Sequence, residues 1–282
     1  GRTLVAAGPV VTHDQAAHEV AAIRDAARAA MGPVADTARL HTPADAPEAL
    51  VVDRATWIAV NADSMRALLD PAFARIAGER VHSTAAAAIG GKVTGAEAGA
   101  LLAFMASKVL GQYDLAPDGT PALMLVAPNI LAVATELDVD LADFRLWVCM
   151  HEETHRVQFT ANPWLREHLI TQARALAVDL APDPERIAEL TRSLSQRLPE
   201  ALGSGGLGVA GLFTTPEQRD RMAGLTAVMS LLEGHADVVM DDVGPTYIPS
   251  VAAIRAKFTE RRKGAGAADR LLRRLLGLEA KM

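Results

Sequence analysis

The chain has 282 residues, half of them hydrophobic, which is enough for one large domain with a sizeable core. Its net charge of -6 argues against a nucleic-acid binder, which usually shows a basic face. The single cysteine, Cys149, excludes an internal disulfide and fits a reducing, cytoplasmic compartment.

Aromatics make up only 4% of the residues, while alanine and leucine are abundant, a balance that favours helix. Thr12-His13-Asp14-Gln15 spells a capping box that opens a helix expected to run to about Met31 and to end at Gly32-Pro33. Leu50 to Asp53 reads as a short strand or extended segment, and Arg54 to Leu69 as a helix that stops before Pro71. A second capping box at Thr94 to Glu97 opens a helix to Leu110. After the Gly119-Thr120-Pro121 turn, Leu123 to Ala127 reads as a strand ended by Pro128-Asn129.

Asp140 to Asp143 starts the next helix, and Asp183-Pro184-Glu185 another. Pro199 to Phe213 is glycine-rich but lacks the GK[ST] ending of a phosphate-binding loop, so it reads as a connector or a lid. Thr215 to Gln218 caps a long helix expected to reach Asp242 and to break at Gly244-Pro245. Asp269 to Leu278 is amphipathic, and the arginines from Arg261 to Arg274 read as a solvated face. The longest apolar runs are far too short to span a bilayer, and no signal-peptide pattern is visible, so no membrane partner is expected.

The Asp140 helix carries His151-Glu152-Glu153-Thr154-His155, the pattern HExxH. Two histidines at i and i+4 stand on one helix face and can grip a single zinc ion, and Glu152 is placed to act as a general base. Glu153 points away and reads as a solvated or salt-bridged residue; Cys149, about 200° round from His151, reads as a buried small hydrophobe. Gln158 lies near the ligand face and could touch substrate. Trp147 reads as core, and Arg145, Arg156 and Arg166 as surface or structural ion pairs.

A catalytic zinc needs a third protein ligand and an open position. No histidine follows at the HExxHxxGxxH spacing. Glu233-Gly234-His235-Ala236-Asp237 offers Glu233 as that ligand and Asp237, one turn later, as a hydrogen-bond acceptor for a ligand imidazole. His235 is the rival ligand, about 200° round the helix from Glu233. Tyr247 is the preferred donor to a developing oxyanion, with Tyr113 the alternative. The strand at Leu123 to Ala127 is either a buried core strand or the sheet edge that binds substrate.

The segments Val51–Asn61, Val109–Leu115, Leu123–Ile130, Phe144–Arg166 and Ser230–Asp241 resemble the actinobacterial zincin-like metallopeptidases, often labelled coenzyme F-420 biosynthesis-associated proteins. The resemblance spans nearly the whole chain. It implies a mainly α, zincin-like helical domain over residues 1–282, with an HExxH helix and a small β element. An N-terminal helical part with the strand would occupy 1–135, and the zinc-ligand helices 136–282. It also implies relatives that continue past Met282.

The function it implies is a zinc-dependent metallopeptidase acting on a peptide or protein. Zinc would be held by His151, His155 and Glu233, and Glu152 would move the proton of an activated water. A catalytically silent zinc-binding interaction protein, or a zinc hydrolase of a non-peptide amide, are the alternatives.

Overall fold

The computed structural model describes residues 5–6, 8–79, 98–181 and 215–263. Its described elements run α1 (His13–Ala38), β1 (Leu50–Val52), α2 (Arg54–Glu79), α3 (98–106), β2 (Gly111–Asp114), β3 (Ala122–Val126), α4 (Ala127–Leu137), α5 (Leu141–Ala161), α6 (Pro163–Asp179), α7 (Pro216–Tyr247) and α8 (Val251–Lys263). The fold is therefore mainly helical, with one three-stranded sheet of order β1-β3-β2. The expected helix starts at Thr94 and Asp183, the stretch Pro199 to Phe213 and the segment Asp269 to Leu278 lie outside the described residues.

The capping box at Thr12 forms as expected, and the expected helix start at Thr215 is also a capping box, each hydroxyl accepting from the backbone N–H three residues on. Three expected helix stops do not hold. α1 passes through Pro33 because Ile23, Ala27, Ala30 and Val34 continue one buried stripe against α5. α2 passes through Pro71 to Glu79. A proline inside a helix orphans the carbonyl four residues back, here that of Ala67. The Arg174 guanidinium of α6 donates to that carbonyl at 3.2 and 3.3 Å, replacing the lost bond from a neighbouring helix. α7 likewise runs through Pro245, which occupies its final turn.

β3 ends at Val126, just before Pro128, as expected. Pro128 sits in the first turn of α4, where its missing N–H costs nothing, so strand passes directly into helix. The side chain of Asn129 then closes the junction: its Nδ2 donates to the carbonyls of Ala106 and Val109, and its Oδ1 accepts from Arg54 Nε at 2.7 Å.

β3 is the central strand. It runs parallel to β1 and antiparallel to β2, and Leu123 to Val126 are at most 2% exposed. An unbroken apolar run is what a strand covered on both faces requires. β3 is therefore a covered core strand and not a sheet edge; among the described residues the edge on the α5 side is β2, a strand that periodicity did not reveal.

α5 is the fold's central helix. One side meets α1 and α4 through Phe144, Val148, Cys149 and Val157; the other meets α7 and β2. Cys149 is 1% exposed, and burial pushes its thiol up to about 12, so it is an inert core residue. Glu153 is not solvated: it is 1% exposed, pairs with Arg156 and accepts from Thr42 Oγ1 at 2.9 Å. Arg156 also donates to the Pro47 carbonyl, so this buried pair pins α5 to the segment entering β1. Arg145 pairs with Glu19 of α1, and Arg166 holds the carbonyls of Leu115, Ala116 and Gly119.

Candidate metal centre

Asp140 caps α5 by accepting from the N–H of Asp143 at 2.9 Å, and the helix then runs unbroken to Ala161. That continuity sets His151 and His155 one turn apart on one face. Their Nε2 atoms lie 3.3 Å apart. α7 crosses beside this face and delivers Glu233, with Oε1 3.5 Å from His155 Nε2 and Oε2 3.8 Å from His151 Nε2. The three ligand atoms all lie within 4.8 Å of one another.

Two nitrogens each about 2.1 Å from one tetrahedral ion stand about 3.4 Å apart. The imidazole pair is thus already set at the spacing one zinc ion requires. Two histidines and a carboxylate are also a donor set that zinc favours in catalytic sites. The residues present fit the ion.

His155 is held from behind by Gln158, which is 3% exposed. The Gln158 Nε2 group donates to the Leu232 carbonyl at 2.9 Å and to His235 Nδ1 at 2.9 Å. A carbonyl can only accept, so this contact fixes which end of the amide is nitrogen. The Oε1 end then faces His155 Nδ1 at 3.0 Å and must accept its proton. In the neutral imidazole this tautomer puts the lone pair on His155 Nε2, turned toward His151 and Glu233.

Gln158 is therefore a buried orienting group and not a substrate contact. His235 accepts from it and does not stand among the three clustered ligand atoms. Gln158→Leu should lower zinc affinity about 10–100-fold, read by chelator competition, because it releases the His155 imidazole from the acceptor that orients it. Unchanged affinity would reduce the contact to packing.

Glu152 is 7% exposed and lies under β2. Burial, and then the nearby Glu233 charge, push its carboxyl up to about 8, making it a stronger base than an ordinary carboxylate. β2 can come this close only because position 111 is glycine. A Cβ there would stand 2.5 Å from Glu152 Cγ and 2.9 Å from its Oε1. Gly111→Ala should thus displace the carboxylate, keep the zinc, and lower kcat/KM on the order of 10²-fold. Wild-type turnover in this variant would show that the carboxylate's position is not critical.

The other expected site residues divide clearly. Trp147 stacks on His151, with centroids 6.3 Å apart, and also meets Phe144 and Phe258, so it braces the first histidine while packing the core. Asp237 is exposed and stands one turn beyond Glu233 on α7, while the hydrogen bond to His155 comes from Gln158.

Tyr247 is not brought to the site. It ends α7 fourteen residues beyond Glu233, roughly 21 Å along the axis. Tyr113 is nearer, two residues from Gly111, but its ring stacks on Phe159 at 5.5 Å and burial raises its hydroxyl pKa. Sequence reasoning missed Gly111 and the orienting role of Gln158. The helix position of Gln158 was its available signal.

A family profile described as zincin-like metallopeptidase matches residues 1–282. A solved structure from Chloroflexus aurantiacus, titled a "putative hydrolase with a novel fold", is 28% identical with a TM-score of 0.65, covering 98% of this chain and 76% of that one. No curated protein matches.

Proposed function

Because the chain belongs to the zincin-like metallopeptidase family, we propose that it hydrolyses peptide bonds with a zinc ion held by His151, His155 and Glu233. The observation that carries this reading is the approach of a free strand edge to a buried base, with Gly111 of β2 directly over Glu152. When bound, zinc supplies a Lewis acid that polarises a carbonyl and lowers the pKa of water toward neutrality.

The protein's own groups do the rest. Leu110 O accepts from Val126 N at 2.8 Å, so the alternation of an antiparallel ladder turns the N–H and C=O of Gly111 and Tyr113 toward the free edge. An extended peptide can add there as a further strand, held by main-chain hydrogen bonds that do not depend on its sequence. That pairing lays its carbonyls beside Glu152. Glu152 accepts a proton from the attacking water and returns it to the leaving amine nitrogen. Gln158 keeps His155 in the required tautomer, and Asp237 serves His151 in the same way.

The test is hydrolysis of a degenerate peptide mixture by zinc-loaded protein, mapped by mass spectrometry beside the chelated protein. Zinc-dependent cleavage is expected. Small-amide hydrolysis without peptide cleavage would replace the substrate class, and no turnover with a full zinc complement would leave only a zinc-binding module. No helix among the described residues is long and apolar enough to cross a membrane.

A further inference from the structure

A cavity of about 450 Å³ opens along the free edge of β2, between α2, α6 and α7. Its walls are apolar: Met65 and Leu68 from α2, Leu169 and Ile170 from α6, Leu225 and Met229 from α7. Two of its borders run into the metal centre. On α7, Leu225, Met229 and Glu233 stand four residues apart on one face, so Met229 lies one turn, about 6 Å, from the third ligand. On β2, the residues that line the cavity, Gln112 to Asp114, follow directly on Gly111, which covers Glu152.

The cavity also contains polar side chains, but they are turned on one another. Ser64 Oγ donates to both oxygens of Asp114 at 3.0 Å, and Gln112 Nε2 donates to Asn61 Oδ1 at 3.0 Å. Asp114 is 5% exposed, and burial raises its pKa, so it does not act as a ready anion for a cationic group. What these walls offer an occupant is apolar contact.

We propose that this cavity is the substrate side-chain pocket of the metal centre, and that it selects a large aliphatic or aromatic residue next to the scissile bond. The size suits one such side chain with space for part of its neighbour. A strand added to β2 alternates its side chains between the two faces of the sheet, so every second residue turns toward α2 and enters the cavity. The proposal rests on the peptidase reading, and a probe that needs no turnover separates the two.

That probe is a series of hydroxamates, which anchor on zinc: those of acetate, 4-methylpentanoate and 4-phenylbutanoate, titrated by calorimetry into zinc-loaded protein. The two larger members should bind on the order of tenfold or more tighter than the acetyl member. Ala173→Phe, which fills the cavity from α6, should abolish that gain and leave acetohydroxamate binding and zinc content unchanged. Ala173→Leu gives a milder filling should the phenylalanine variant not fold, and should remove part of the gain.

Equal binding of all three probes by the wild type, or a gain that survives both fillings, overturns the pocket while leaving the zinc hydrolase intact. Failure of every hydroxamate to bind zinc-loaded protein removes the metal centre and the pocket together.

Discussion

Glu152→Gln should retain a full complement of zinc and lose turnover by about 10²–10⁴-fold, the range that a positioned general base contributes. The substitution keeps the shape that fits beneath Gly111, so the strand edge and the ligand geometry stay in place. What it removes is the ability to take a proton. The wild-type carboxyl is poised for proton transfer, because burial raises its proton affinity above that of a solvent-exposed glutamate. Because the base must be ionised to act, wild-type kcat/KM should fall on the acid side of its pKa, and the residual activity of the variant should lack that limb. A variant with more than a tenth of wild-type turnover would assign the proton transfer to another group. Gly111→Ala offers an independent control, since it moves the same carboxylate without altering its chemistry.

Glu233→Ala should strip the zinc. Wild-type protein is expected to carry about one zinc per chain by elemental analysis, as a three-ligand site requires. The alanine variant should bind it more than ~100-fold more weakly, beyond the loss typical of an outer hydrogen-bonding partner. Two imidazoles 3.3 Å apart remain, but without the carboxylate they no longer neutralise part of the ion's charge or close the third side of the site. His235→Ala is the informative contrast. It removes the acceptor behind Gln158, so its effect should stay within the outer-partner range. Zinc retained in Glu233→Ala and lost in His235→Ala would exchange the two roles.

Local sequence signals carried much of the fold. The capping box at Thr12, the helix start at Thr215, the strand at Leu50 and the HExxH helix formed where hydroxyl caps and apolar spacing put them. The stops were misread because proline is a local signal whose cost is set elsewhere. At Pro71 the orphaned Ala67 carbonyl is satisfied by Arg174, which lies more than a hundred residues on. β2 escaped notice because four residues with one glycine have no readable period, and its partner β3 looked like an equally good edge.

By itself, the sequence determined the chemistry within one helix: two imidazoles and a carboxylate at spacings fixed by 3.6 residues per turn, on a chain rich in helix formers. It also narrowed the third ligand to Glu233 or His235. Only the tertiary structure decided which of the two faces the imidazole pair, because that depends on how α7 is rotated against α5, a matter of packing between distant segments. The same packing turned Gln158 from a candidate substrate contact into the group that orients His155, and carried Tyr247 away along α7. It also brought Gly111 onto Glu152, a contact that exists only because a side chain is absent.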